Sequence, residues 1–104
     1  MLNIALIGLG RMGRKYFKVL KKNEHFNLIK VLRKKNYTRK NTFVKFYNNR
    51  NKFFSKNKKN IHAYIIASPL NTHYEYIKKI LTKKKPLIIE KPIVKNIHEL
   101  KKIN

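Results

Sequence analysis

Three glycines, Gly8, Gly10 and Gly13, fall within six positions, and the 104 residues contain no others. They follow the apolar run Ile4–Ile7 and precede a stretch with helical spacing, so they form G-x-G-x-x-G at a strand-to-helix junction. The chemistry that needs this spacing is pyrophosphate binding. Gly8 permits a tight turn, Gly10 lets the backbone approach the phosphates, and Gly13 lets helix and strand pack closely. The helix start, where Arg11 and Met12 stand between the glycines, presents free N–H groups and a positive dipole end to an anion. A ligand-free tight turn would use glycine too, but the junction context points to a dinucleotide.

A second position bears on which dinucleotide. The residue that reads the adenosine ribose is expected about 20 residues beyond the glycines, at the end of the second strand. That place holds Arg33, followed by Lys34 and Lys35, and no carboxylate. A carboxylate would accept from the ribose hydroxyls and repel a 2′-phosphate, whereas a guanidinium pairs with phosphate. NADP(H) is therefore expected over NAD(H). The inference rests on position alone, because Arg33 is also one basic residue among many.

The charge balance is extreme: 27 Lys and Arg against four glutamates, no aspartate, and a net charge of +23. Taken alone it suggests a polyanionic partner such as nucleic acid. A compositional cause competes. Lysine, asparagine and isoleucine make up 48 of the 104 residues, while glycine, alanine and proline number three each. The first group has AT-rich codons and the second GC-rich ones, so an AT-biased genome yields this profile whatever the protein does. Net charge speaks to solubility and non-specific association rather than to fold. Without cysteine there is no disulfide or thiolate metal site, and no metal ligand set is assigned. No apolar run approaches the roughly 18 residues of a membrane span. No signal pattern opens the chain, so a cytoplasmic location and no membrane partner are expected.

The elements that position these residues alternate. Ile4–Ile7 reads as a strand buried on both faces. The helix after the glycines should turn Met12, Tyr16, Val19 and Leu20 inward, with Lys15, Lys18, Lys21 and Lys22 outside. Phe26–Leu32 is a second strand, Thr42–Tyr47 a weaker third, and Asn49–Phe54 a short helical turn. Lys34–Asn41 is too short for an ordinary crossover between parallel strands, so any helix there must be reduced or missing. Ala63–Ala67 is the clearest later strand. Thr72 and Glu75 fit a capping box before a helix carrying Tyr74, Ile77, Ile80 and Leu81. Pro86–Ile89 gives a fifth strand, and Asn96 with Glu99 a last helix start, with Ile97, Leu100 and Ile103 facing inward. This is an α/β pattern: one domain over residues 1–104, with a parallel sheet of about five strands and helices on both faces.

Two further motifs complete the set. Ser68, Pro69 and His73 follow the fourth strand in "ASPLNTHYEYIKK", and Glu90, Lys91 and Pro92 follow the fifth in "IIEKPIVKN". With "GLGRMG", the chain resembles the N-terminal Rossmann domain of the Gfo/Idh/MocA family, the glucose–fructose oxidoreductase and inositol dehydrogenase relatives. The similarity runs from Leu2 to Ile103. It implies NAD(P) binding, with Lys91 as the catalytic residue near the nicotinamide and the substrate hydroxyl. Ser68, Pro69, His73 and Glu90 join Gly8, Gly10, Arg11, Met12, Gly13 and Arg33 in the cofactor-binding set. Pro69 would shape the turn beside the nicotinamide, and His73 would be structural or cofactor-adjacent. Residue chemistry agrees on Lys91, since a cation beyond a strand's carboxyl end can stabilise developing alkoxide charge.

Family enzymes also carry a sixth strand and a second domain that binds substrate, and neither is expected within these residues. The chain is thus expected to be a truncated cofactor domain that transfers hydride with a sugar or polyol when a partner chain supplies the substrate domain. Two alternatives remain at this point, a basic nucleic-acid-binding module on the same scaffold and an inactive gene remnant.

Overall fold

In the computed structural model, residues 1–33, 44–55 and 60–103 are described. They form nine elements: β1 (Leu2–Ile7), α1 (Arg11–Lys22), β2 (Phe26–Leu32), β3 (Lys45–Tyr47), α2 (Arg50–Phe54), β4 (Ala63–Ile66), α3 (Leu70–Thr82), β5 (Leu87–Ile89) and α4 (Ile97–Ile103). The expected crossover at Lys34–Asn41, like Thr42 and Phe43 of the expected third strand, lies outside the described residues. The strands make one parallel sheet in the order β3-β2-β1-β4-β5.

Apolar side chains of β1 alternate between the two faces, as strand geometry requires. Ile4 and Leu6 pack with Leu20, Leu28, Val31 and Ile65 on the α1 side. Ala5 and Ile7 pack with Phe53, Phe54, Tyr64, Ile77 and Ile80 on the side of α2 and α3. A core on each face explains why β1 is a continuous apolar run, and it makes this an α/β fold with helices on both sides. Phe53 and Phe54, at the end of α2, are buried. Asn49 caps α2 by accepting from the N–H groups of Asn51 and Lys52.

Three expected helix details differ. In α1 the inward positions are Gly13, Tyr16, Phe17 and Leu20, while Met12 and Val19 are exposed. The cause is Gly13: its α-carbon faces the Gly8 carbonyl so closely that this contact fixes the helix rotation. In α3 the helix begins three residues earlier than a Thr72 cap would place it, behind Pro69 and with no side-chain cap. The Thr72 hydroxyl instead donates to the Pro69 carbonyl at 2.6 Å and lies 2.7 Å from the Ser68 hydroxyl. In α4 the cap is as expected, with Asn96 accepting from the Glu99 N–H at 2.9 Å. Of its apolar residues only Ile103 packs on the core, and Ile97 and Leu100 are exposed.

The sheet also buries one lysine. The β1–β2 register slips between Ile4 and Ala5, whose partners are Leu28 and Lys30, leaving Ile29 as an extra residue. Such a bulge reverses the alternation beyond it. Leu28 and Val31 therefore face α1, whereas Lys30 faces α2, where only 2% of it is exposed. Its ammonium donates to the Phe53 carbonyl and stands 4.6 Å from the centre of the Phe53 ring. Lys83 donates to the next carbonyl, Phe54, at 2.9 Å, so two cations meet the carboxyl end of α2.

Candidate functional site

The glycine loop lies between β1 and α1 and is held by the strands on either side. The Gly8 N–H donates to the Leu32 carbonyl at 2.8 Å, and the Ala67 N–H donates to the Ile7 carbonyl at 2.7 Å. Gly8 has φ of +100°, a conformation open to glycine and strained for other residues. A β-carbon there would stand 2.7 Å from the Ala67 carbonyl oxygen. Gly13 meets backbone too: a β-carbon would stand 2.0 Å from the Gly8 carbonyl oxygen. Gly10 differs from both, because a β-carbon there would meet nothing within 4 Å.

Gly8 and Gly13 are therefore required by the protein's own packing, and Gly10 is not. The space over Gly10 is a cradle beside the start of α1, whose first turn has neither a side-chain cap nor an acidic residue. Helix-initial N–H groups have no intrahelical acceptor. Those of Arg11, Met12 and Gly13 are thus available to a phosphate, and the residues present fit a dinucleotide pyrophosphate.

Arg33 follows the last residue of β2, one position beyond the carbonyl that holds Gly8, and its own N–H donates to the Tyr47 carbonyl at 2.8 Å. The fold thus brings Arg33 to the same end of the sheet as the glycines. Ser68 and Pro69 lie just past β4, the neighbour of β1 on the other side. Glu90 and Lys91 lie just past β5, with Lys91 exposed to solvent. All the predicted site residues therefore collect at the carboxyl ends of the strands, where open α/β sheets bind ligands.

His73 belongs to this region as a brace. It is buried in the first turns of α3, with Nε2 2.8 Å from the Ser68 carbonyl oxygen. Nδ1 lies 3.2 and 3.0 Å from the carbonyl oxygens of Pro92 and Ile93. All three neighbours are carbonyl oxygens, so the ring lies between two loops and donates to one of them through the nitrogen that carries its proton. His73→Phe should lower stability by about 2 kcal/mol, the usual cost of leaving buried polar groups unmatched. Urea unfolding would measure it, and an unchanged midpoint would remove the brace.

Sequence reasoning missed one residue of the region. Tyr16 was expected only as a core position, yet its hydroxyl donates to Glu90 Oε1 at 2.8 Å. That bond, then burial and the negative charge of Glu90, raise the phenol above its ordinary value. The available signal was chemical. Only four carboxylates exist in the chain, and a motif glutamate behind an apolar strand needs a donor. A cavity of about 220 Å³ between α2 and α3, lined by Arg50, Phe54, Glu75 and Tyr76 among others, includes none of the predicted site residues. Among the described residues, no helix is long and apolar enough to cross a membrane.

The sequence model of an oxidoreductase family, the NAD-binding Rossmann fold of the Gfo/Idh/MocA proteins, matches residues 2–104. The chain belongs to the Gfo/Idh/MocA family. No curated protein matches it by sequence. Solved structures do match it in fold. Myo-inositol 2-dehydrogenase from Lactobacillus plantarum superposes with a TM-score of 0.83 at 22% identity, over 98% of this chain and 31% of that one. Apo scyllo-inositol dehydrogenase from Lactobacillus casei gives 0.84 at 23% identity, over 99% and 32%. An oxidoreductase from Bacillus cereus gives 0.83 at 23%, over 99% and 31%. The chain spans about a third of the length of these proteins, and at such identities the likeness is one of fold. The match is to the family's NAD-binding Rossmann fold, with G-x-G-x-x-G and E-K-P as the sequence features that carried the resemblance.

Proposed function

We propose that this Gfo/Idh/MocA domain binds NADP(H) in preference to NAD(H) and serves hydride transfer to or from a sugar or polyol carbinol. The observation that carries the reading is the cradle over Gly10, with Arg33 one residue beyond the carbonyl that anchors Gly8. Gly8, Gly10, Arg11, Met12 and Gly13 would seat the pyrophosphate, and Arg33 would pair with a 2′-phosphate. Ser68, Pro69, His73 and Glu90 would border the nicotinamide end. The bound nicotinamide supplies the hydride chemistry. Lys91 would place its ammonium against the substrate hydroxyl and stabilise charge developing on that oxygen.

Substrate recognition and the acid–base group would come from a further domain, on the same polypeptide or on a partner chain. A cytoplasmic setting fits this chemistry. The nucleic-acid reading draws less support from the structure. Base stacking needs exposed aromatic platforms, and Phe53, Phe54 and Tyr64 lie in the core.

The test is a titration with NADPH and NADH, with ATP and inorganic phosphate as controls for non-specific attraction to a +23 chain. NADPH should bind at least about tenfold more tightly than NADH, about 1.4 kcal/mol, and Arg33→Asp should reverse the order. Dinucleotides that bind no better than phosphate would overturn the reading.

A further inference from the structure

The loop that carries Lys91 is tied down from two directions. On one side the Tyr16 hydroxyl donates to Glu90 across 74 positions of sequence. On the other the buried His73 ring reaches the carbonyl oxygens of Pro92 and Ile93. Lys91, between these anchors, is exposed. Tyr16 lies on the inward face of α1, three residues beyond Gly13, the residue whose contact with Gly8 sets the helix rotation. His73 sits in the first turns of α3 and also grips Ser68. Each anchor therefore starts from a helix whose amino end borders the predicted cofactor cradle.

A lysine on an exposed loop is a flexible point charge, and catalysis loses heavily when such a group is misplaced by an ångström. The fold answers with bonds to the residues on either side of the lysine, leaving the ammonium itself free to face a ligand. The Tyr16 ring already packs against the α1-side core. Packing alone would be served by phenylalanine, so the hydroxyl calls for its own explanation.

We propose that Tyr16 is a positioning residue: through its hydrogen bond to Glu90 it holds the Glu90–Ile93 loop, and with it Lys91, in register with the nicotinamide end of a dinucleotide seated on the glycine loop. The inference rests on the dinucleotide reading given above. It separates two parts of the ligand. The ADP-ribose portion is held by the glycine loop and α1, whereas the nicotinamide ring meets the loop that Tyr16 restrains.

The experiment compares NADPH, NADH and ADP-ribose binding to the full chain and to Tyr16→Phe, at a temperature where both are folded. Tyr16→Phe keeps the ring and removes only the hydroxyl. It should weaken NADPH and NADH binding about five- to tenfold, leave ADP-ribose affinity unchanged, and shift the fluorescence of bound NADH. In a Glu90→Ala background the same substitution should cost nothing further. An equal loss for NADH and ADP-ribose would mean that Tyr16 acts through general packing, and would overturn the proposal. So would a Tyr16→Phe chain indistinguishable from the parent while the parent binds all three ligands. If the parent binds neither ADP-ribose nor the dinucleotides, the dinucleotide reading itself fails and takes the proposal with it.

Discussion

Gly10→Ala is expected to abolish dinucleotide binding while leaving the melting temperature of the free chain nearly unchanged, and Gly13→Ala to prevent folding. The contrast follows from what a β-carbon would meet. At Gly10 it meets nothing within 4 Å, and the backbone there, φ −73°, suits any residue. Alanine is a poorer helix cap than glycine, but it also lowers the entropy of the unfolded chain, and these two effects of up to about 1 kcal/mol oppose each other. The methyl group would nevertheless occupy the space through which a pyrophosphate must approach the backbone. Affinity should fall at least about a hundredfold, about 2.7 kcal/mol.

At Gly13 the same methyl would stand 2.0 Å from the Gly8 carbonyl oxygen and 2.7 Å from its carbon. Both are backbone atoms, so no side chain can swing away, and α1 would have to leave β1. Such a clash belongs with the rare substitutions that cost more than about 4 kcal/mol, against a total stability of about 5–15 kcal/mol for a domain. Circular dichroism melting and NADPH titration of the two variants separate these cases. A Gly10→Ala chain that binds normally would show that the cradle holds no pyrophosphate.

The second large effect concerns pH. Burial, and then the positive charge of Lys83, lower the Lys30 ammonium to about 8, from the usual 10.5. The unfolded chain therefore binds this proton more tightly than the folded one between those two values. Where the unfolded state holds more protons, stability rises with pH. The contribution of Lys30 is at its worst below about pH 8 and improves as the pH climbs toward 10.5, by at most about 3 kcal/mol. Other lysines also lose charge near the top of this window, so the comparison must be internal. Lys30→Met keeps an unbranched chain in the same space and removes the ammonium. The variant should lack most of the parent's gain between pH 8 and 10. It should be at least as stable as the parent at pH 7, because an unpaired buried charge is costlier than one hydrogen bond to the Phe53 carbonyl. Parallel slopes in urea unfolding across that pH range would rule out a titrating Lys30.

Much of this fold was legible because its strands are short apolar runs between polar stretches. Phe26–Leu32 is bounded as the sequence suggests, β4 and β5 lie inside the expected windows, and β1 begins two residues before the expected Ile4. The glycine spacing located the cradle for the same reason: each position has a separate mechanical demand. What escaped depends on contacts distant in sequence. The rotation of α1 was misjudged because Met12 and Val19 are apolar, whereas the decisive contact involves Gly13, which has no side chain to count. Lys30 is turned inward by a one-residue slip in register against β1, a contact between strands that the sequence of β2 does not announce. The Thr72 and Glu75 spacing imitated a cap, but the Thr72 hydroxyl is taken up by Ser68 and the Pro69 carbonyl. Tyr16 and Glu90 each stood out on their own, and nothing local joined them.

The strand order has a consequence for how the molecule comes apart. The chain runs outward from β1 through β2 to β3, then returns to place β4 on the opposite side of β1 and continues to β5. The sheet is therefore two halves sewn along a single seam, Ile4–Ile7 against Ala63–Ile66. The glycine loop belongs to one half, and Ser68, His73 and Lys91 belong to the other. A molecule lying across the carboxyl ends of these strands would touch both halves at once, adding a second row of stitches to a join of four residue pairs.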